Sequence, residues 1–391
     1  MNPSSSGWIK KLLKIVSSSD TFFNDSEDLF YIALRDVGFI YGSNISVVKS
    51  LVESKELSAD EICKINLFLA LTYTHEKSES TLDSVESIID FYTQINAHKT
   101  SIFQDILGGK KSSSQLEKII HKRVQINDNI ITKNFDYFVI NALLFVDVLA
   151  YQEYLNTNSI TSDYIKNLEN AIETISFNVL NSKVNKTKYD NSLIKLFESS
   201  LRYQDNEKTT YTEAISYLKT YLEKCYLIDI ACMATWGDKV IDIDEVNFLK
   251  QLGNDLNINA LFVIDSINKV NNFYTTNKDN IALLSSKNIV QSFYDNSSKM
   301  VAKLIYRNGK RLKRELKQSK ELMILLTQST VRELTPEEQK RTQEQLLDVF
   351  KSIPSLAIFM LPGGALLLPL FVKIIPKLLP SAFDDNRIED D

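Results

Sequence analysis

The chain has 391 residues, 44% of them hydrophobic and 24% charged, with a formal net charge of −5, which is enough apolar material for two or three packed domains. Ten glycines and seven prolines are too few for a turn-rich sandwich or barrel and favour helices. The weakly acidic balance excludes a general electrostatic case for DNA binding, and three cysteines (Cys63, Cys225, Cys232) make no disulfide framework.

Most of the negative charge is local, because Asp384 to Asp391 holds five acids against Arg387. The cysteine count suits a reducing compartment, and the N-terminal WIKKLLKIV is not the uninterrupted apolar region of a secretory signal. Residues 1–20 read as a basic amphipathic segment carrying Trp8, Leu12, Leu13 and Val16. They form either a docked N-terminal helix or a membrane-surface anchor. From 27 to 205 the pattern is helical almost throughout. Ser58 and Glu61 make a capping box that opens a helix through Leu71. Tyr137 to Tyr151 is apolar nearly all round but short, which predicts a buried core helix around Asp147. Ile165, Leu168, Ile172, Ile175 and Val179 form one apolar stripe, with Ser162 as the expected cap. Gly108-Gly109 and Val184 to Tyr189 read as loops; no strand precedes the glycine pair and no GK[ST] follows it, so it is no phosphate loop. Cys225 and Cys232, seven apart, share one helix face as small core residues. His75, His98 and His121 show no zinc-ligand spacing.

An apolar helix is predicted to end at Trp236-Gly237, followed by an acidic turn and a second amphipathic helix with Val246, Leu249 and Leu252. Asp238, Asp242 and Glu245 could serve as ligands for a hard cation. The competing reading makes them helix-start residues, with Asp242 or Asp244 as cap and the acids favouring the helix dipole. The order Asp238, Ile241, Asp242, Glu245 resembles the D-G-x-I-D-x-x-E signature of the tellurite-resistance TerB-like domains, with Lys239 in place of the glycine.

Between 299 and 320 there are nine basic residues and one acid, Glu315. Lys299, Lys303, Arg307, Lys310, Arg311, Lys313, Arg314 and Lys317 are candidate contacts for anionic lipid or for RNA phosphate, which attract such a block alike. Thr335, Pro336 and Glu338 then make a strong helix start. From Ser352 to Val372 stand 21 residues without a charge, punctuated by Pro354, Pro362-Gly363-Gly364 and Pro369, with Pro376 and Pro380 beyond. Such a run predicts a kinked span, a re-entrant hairpin or a hairpin buried against the rest of the chain.

This tail resembles the mitochondrial leucine-zipper-EF-hand transmembrane (Letm) family. The residues that carry the likeness are Leu334-Thr335, Glu338, Asp348, Phe350, Pro354, Pro362, Leu367-Leu368-Pro369, Val372-Lys373, Pro376 and the closing Leu379-Pro380-Ser381, Phe383 and Asp384. Together with the TerB-like segment, it looks like the bacterial Letm-related biofilm-associated proteins. The resemblance implies that the uncharged run is a membrane segment and that a domain described as ribosome-binding follows it. It also implies cation/proton exchange through an acidic residue within the membrane segment, where this chain has Ala365. Without a carboxylate in the run, transport by this chain alone is not expected. No nucleophile stands beside a base, so neither an enzyme nor a cofactor is expected. The expectation is an all-α protein made of an N-terminal helical domain (1–205), a TerB-like domain (206–295), a Letm-like segment (296–384) and an acidic tail (385–391). It would act as a non-enzymatic adaptor or assembly factor at the cytoplasmic face of a bacterial inner membrane, with membrane lipid as a partner and its protein partner unidentified. The alternatives are a ribosome-binding protein and a subunit of a cation/proton exchanger.

Overall fold

A computed structural model of the chain describes residues 1–19, 21–99, 111–124, 142–184, 186, 191, 209–235, 242–277, 289–353, 356 and 367–379. These residues form fifteen α-helices and no strand, as the scarcity of proline and glycine leads one to expect. Two separate hydrophobic cores organise them.

The larger core draws on eleven helices. Helix α1 (Trp8–Ser17) buries Trp8, Ile9, Leu12 and Val16, and Trp8 meets the Phe68 ring edge-on at 5.9 Å. The Glu117 carboxylate accepts from the Gly7 and Ile9 amides, so the first turn of α1 is held by an acid that also suits its dipole. The N-terminal segment is therefore the docked helix of the two expected alternatives. Helices α2 (Glu27–Asp36) and α3 (Ala59–Glu76) follow, and the Ser58–Glu61 capping box opens α3 as read. Helix α3 is covered on nearly every side from Ile62 to Tyr73. It is packed by α4 (Ser84–Lys99), α5 (Ser113–Val124) and α6 (Leu144–Thr157). The expected core helix around Asp147 is α6, whose first eight residues are all buried.

Helix α7 (Ser162–Ser182) starts one residue earlier than the pattern suggested: Thr161, not Ser162, is the cap. Thr161 has extended backbone and accepts the Tyr164 amide, whereas Ser162 is already helical. Helices α8 (Tyr211–Ser216), α9 (Tyr221–Thr235) and α10 (Ile243–Asp255) all pack on α7, and α11 (Ala260–Asn277) closes against α9, α10 and α2. Cys225 and Cys232 are buried in this core, as their spacing predicts. Buried residues from Trp8 to Tyr274 belong to this one cluster.

Two buried ion networks cross it. Arg35 Nε lies 3.1 Å from Asp229 Oδ2, Nη1 lies 2.8 Å from Asp265 Oδ2, and Nη2 donates to Ser266 Oγ. Tyr31 donates to the same Asp229 oxygen at 2.6 Å. Burial pushes the Asp229 carboxyl above its ordinary range, with the Arg35 charge opposing. The second network forks Arg123 onto Asp147, with Nε to Oδ2 at 2.7 Å and Nη2 to Oδ1 at 3.0 Å, and Tyr92 donates to Asp147 at 2.9 Å. These pairs specify which helices meet, because either charge left alone in the core would cost several kcal/mol.

The smaller core belongs to α12 (Ile289–Gln318), α13 (Lys320–Val331), α14 (Pro336–Ser352) and α15 (Leu368–Leu378). The sequence-predicted start of α14 is present in full: Thr335 caps, Pro336 begins the helix, and Glu338 answers the Thr335 amide. Among the described residues, no helix is long and apolar enough to cross a membrane. Helix α15, 11 residues or roughly 16 Å, covers only part of the uncharged run and buries Leu368, Leu370, Phe371, Val372 and Ile375 against its neighbours.

Candidate functional site

Of the three candidate cation ligands, Asp242 and Glu245 are engaged with the backbone. Asp242 caps α10 by accepting the Glu245 amide at 2.8 Å, and Glu245 accepts the Asp242 amide at 2.9 Å. That is the helix-start reading of the acidic turn. Asp238 lies outside the described residues, and among those described no group of three or more His, Cys, Asp or Glu is arranged to hold a metal.

The prolines of the uncharged run divide similarly. Pro369 occupies the first turn of α15, where its missing amide hydrogen costs nothing, and Pro376 sits in the last turn. Pro354, Pro362, Gly363, Gly364 and Pro380 lie outside the described residues.

The basic block is brought together on one surface. Helix α12 buries Val301, Leu304, Ile305, Leu312 and Leu316 against the rest of the small core. Phe350 of α14 meets Phe371 of α15 edge-on at 4.8 Å beneath it. Opposite that seam, Lys299, Arg307, Lys310, Arg311, Arg314 and Lys317 are exposed and Lys303 and Lys313 are half-buried. With 3.6 residues per turn, the apolar positions 301, 304, 305, 312 and 316 and the positions 299, 303, 310, 313 and 317 fall on opposite faces. The cationic row from Lys299 to Lys317 is therefore about 27 Å long, at ~1.5 Å per residue. Glu315, the acid within the block, is half-buried and 3.1 Å from Arg314.

The underside of this helix is braced at the corner between α13 and α14. Ser319 caps α13 and donates to Gln345 at 2.6 Å, and Gln345 donates to Glu321 at 2.7 Å. Arg332 forks onto Glu338 at 2.6 and 2.8 Å, and this hydrogen-bonded pair holds the Glu338 carboxyl down to about 2. A row of cations carried on a packed helix has the charge and spacing to suit an extended anion.

One residue of this face escaped the sequence reading. Tyr306 is 84% exposed, and the row runs 299, 303, 306, 310, 313, 317, alternating four and three along the helix. The alternation is present in the sequence itself, where the uncharged tyrosine stands within a block defined by its charge.

Residues 292–391 match the family model described as LETM1-like, RBD, a ribosome-binding domain. The match starts at the beginning of α12, so it includes the basic helix and the uncharged run instead of following them. It does not reach the acidic turn. No curated protein and no solved structure matches the chain.

Proposed function

We propose that the C-terminal helical unit docks the chain on the ribosome by gripping RNA phosphates with the outer face of α12, while the larger helical body carries a protein partner. The observation that supports this most directly is the segregation of α12 into an apolar seam and an opposing row of lysines and arginines. The ribosome-binding description of the matching family model points the same way. Phosphate contacts release counterions, so affinity should fall by roughly 0.7–0.9 in log K per contact for each tenfold rise in salt. Full-length protein is expected to co-sediment with ribosomes at low salt, and Lys299→Glu, Lys303→Glu, Lys310→Glu and Arg311→Glu together to leave it in the supernatant. Wild-type protein that stays in the supernatant at low salt ends this reading.

A second reading places the chain at the cytoplasmic face of a bacterial inner membrane. It is favoured by the juxtaposition of 21 uncharged residues with the basic block, since an anionic leaflet attracts basic side chains at about 1 kcal/mol each. Full-length protein that neither co-floats with anionic vesicles at low salt nor sediments with membranes refutes it.

A further inference from the structure

Resting on the ribosome-docking reading, we infer that Tyr306 is a stacking platform for an unpaired RNA base, so that the surface prefers single-stranded or looped RNA to duplex. A single exposed aromatic is ordinary on a protein surface; the position of this one is what matters. Its ring stands 84% exposed on α12, and the residues three before and four after it on the same face are Lys303 and Lys310. The same row continues to Lys299 on one side and to Lys313 and Lys317 on the other.

A row of cations alone recognises any phosphate backbone, duplex or single-stranded. Paired bases in an A-form helix are stacked on each other and hide their faces, whereas bases in loops and single strands are available to aromatic side chains. An aromatic ring set among phosphate-binding lysines therefore adds a contact that only an unpaired nucleotide can use, and it does so without reading sequence. The mounting is rigid, because the opposite face of α12 is locked by Leu304, Ile305 and Leu312 into the small core. A ring on a packed helix loses less freedom on binding than one on a loop. The hydroxyl is not needed for stacking, so phenylalanine should substitute.

The test uses full-length protein with fluorescein-labelled oligouridine of twelve nucleotides and a duplex RNA of twelve base pairs. Wild type is expected to prefer the single strand. Tyr306→Phe should bind it within about twofold of wild type, and Tyr306→Ala about tenfold more weakly, the loss of one stacked base. Tyr306→Ala should leave duplex binding and the salt slope unchanged, because stacking releases no counterions, whereas Lys303→Glu with Lys310→Glu should flatten the slope for both ligands. Because Tyr306 is exposed, its substitution leaves the core untouched, and unchanged helicity by circular dichroism verifies that. If Tyr306→Ala binds the single strand as wild type does while the lysine reversals abolish binding, the stacking inference is wrong and the docking reading survives. If wild type binds neither RNA, or binds only anionic vesicles, the docking reading fails and the inference with it.

Discussion

Removing the negative partner of the Arg123–Asp147 pair should be among the most damaging single changes in the body. Both side chains are essentially out of solvent, at 0% and 1% exposed, and the fork uses Nε and Nη2 while Nη1 already lacks a partner among the described residues. In Asp147→Asn the shape is kept but the buried guanidinium loses the carboxylate it forks onto and keeps only the weaker attraction of Glu169, which costs about 3–5 kcal/mol. For a body of this size that is a fall in melting temperature of roughly 6–10 °C. Arg123→Met should cost a similar amount by stranding the carboxylate. Replacing both charges by Arg123→Met and Asp147→Leu removes the problem, provided Tyr92, which would lose its acceptor, is also changed to phenylalanine. That triple variant should lie within about 2 kcal/mol of wild type or above it. Urea unfolding followed by circular dichroism measures all four proteins. The reasoning is refuted if either single change costs less than about 1 kcal/mol, or if the triple variant is less stable than both.

Three further outcomes follow from burial and backbone geometry. Gly38 has φ +79°, and an added Cβ would lie 2.1 Å from the Ser43 carbonyl oxygen and 2.4 Å from the Phe273 ring; Gly38→Ala should lose roughly 2 kcal/mol or more in the same urea assay, and an unchanged midpoint would contradict it. Burial pushes the Cys225 thiol up to about 12 and the Cys232 thiol upward as well, and Cys63 is fully buried. A disulfide reagent at pH 8 should therefore find no fast thiol in native protein and all three cysteines in denatured protein. His75 is buried and its imidazole is held below the ordinary value of 6.5 by that burial, so the folded chain prefers it neutral. Its contribution to stability is complete above 6.5 and is lost as pH falls from there toward the lowered folded value; His75→Gln should flatten stability over that window, and an identical pH profile for the variant would count against the argument.

What could be read from the sequence was whatever acts over three or four residues. The boxes at Ser58 and Thr335 were legible because cap and partner are three apart, the cap of α10 was narrowed to Asp242 or Asp244, and Thr161 was missed because a serine beside a threonine makes an equally good cap by composition. The outer face of α12 was legible as a run of positive charge. Contacts over long separations were not: Arg35 finds Asp229 and Asp265 about two hundred residues away, and nothing local in the sequence pairs them. The uncharged run shows the other limit. Its length and lack of charge describe a membrane helix and a buried helix equally well; the described end of the run, in α15, packs with α12, α13 and α14, and that choice of neighbours belongs to tertiary structure.

Helix α7 also bears on how the chain is made. Its apolar side is covered by α8, α9 and α10, the last of which ends at Asp255, about 70 residues after α7 itself is complete. At a synthesis rate of roughly 5–20 residues per second, that side stays bare for several seconds on every nascent chain. Holding factors at the tunnel exit should find it then, and synonymous codon changes that slow translation between Ser182 and Asp255 should lower the yield of soluble protein more than the same changes placed after Asn277.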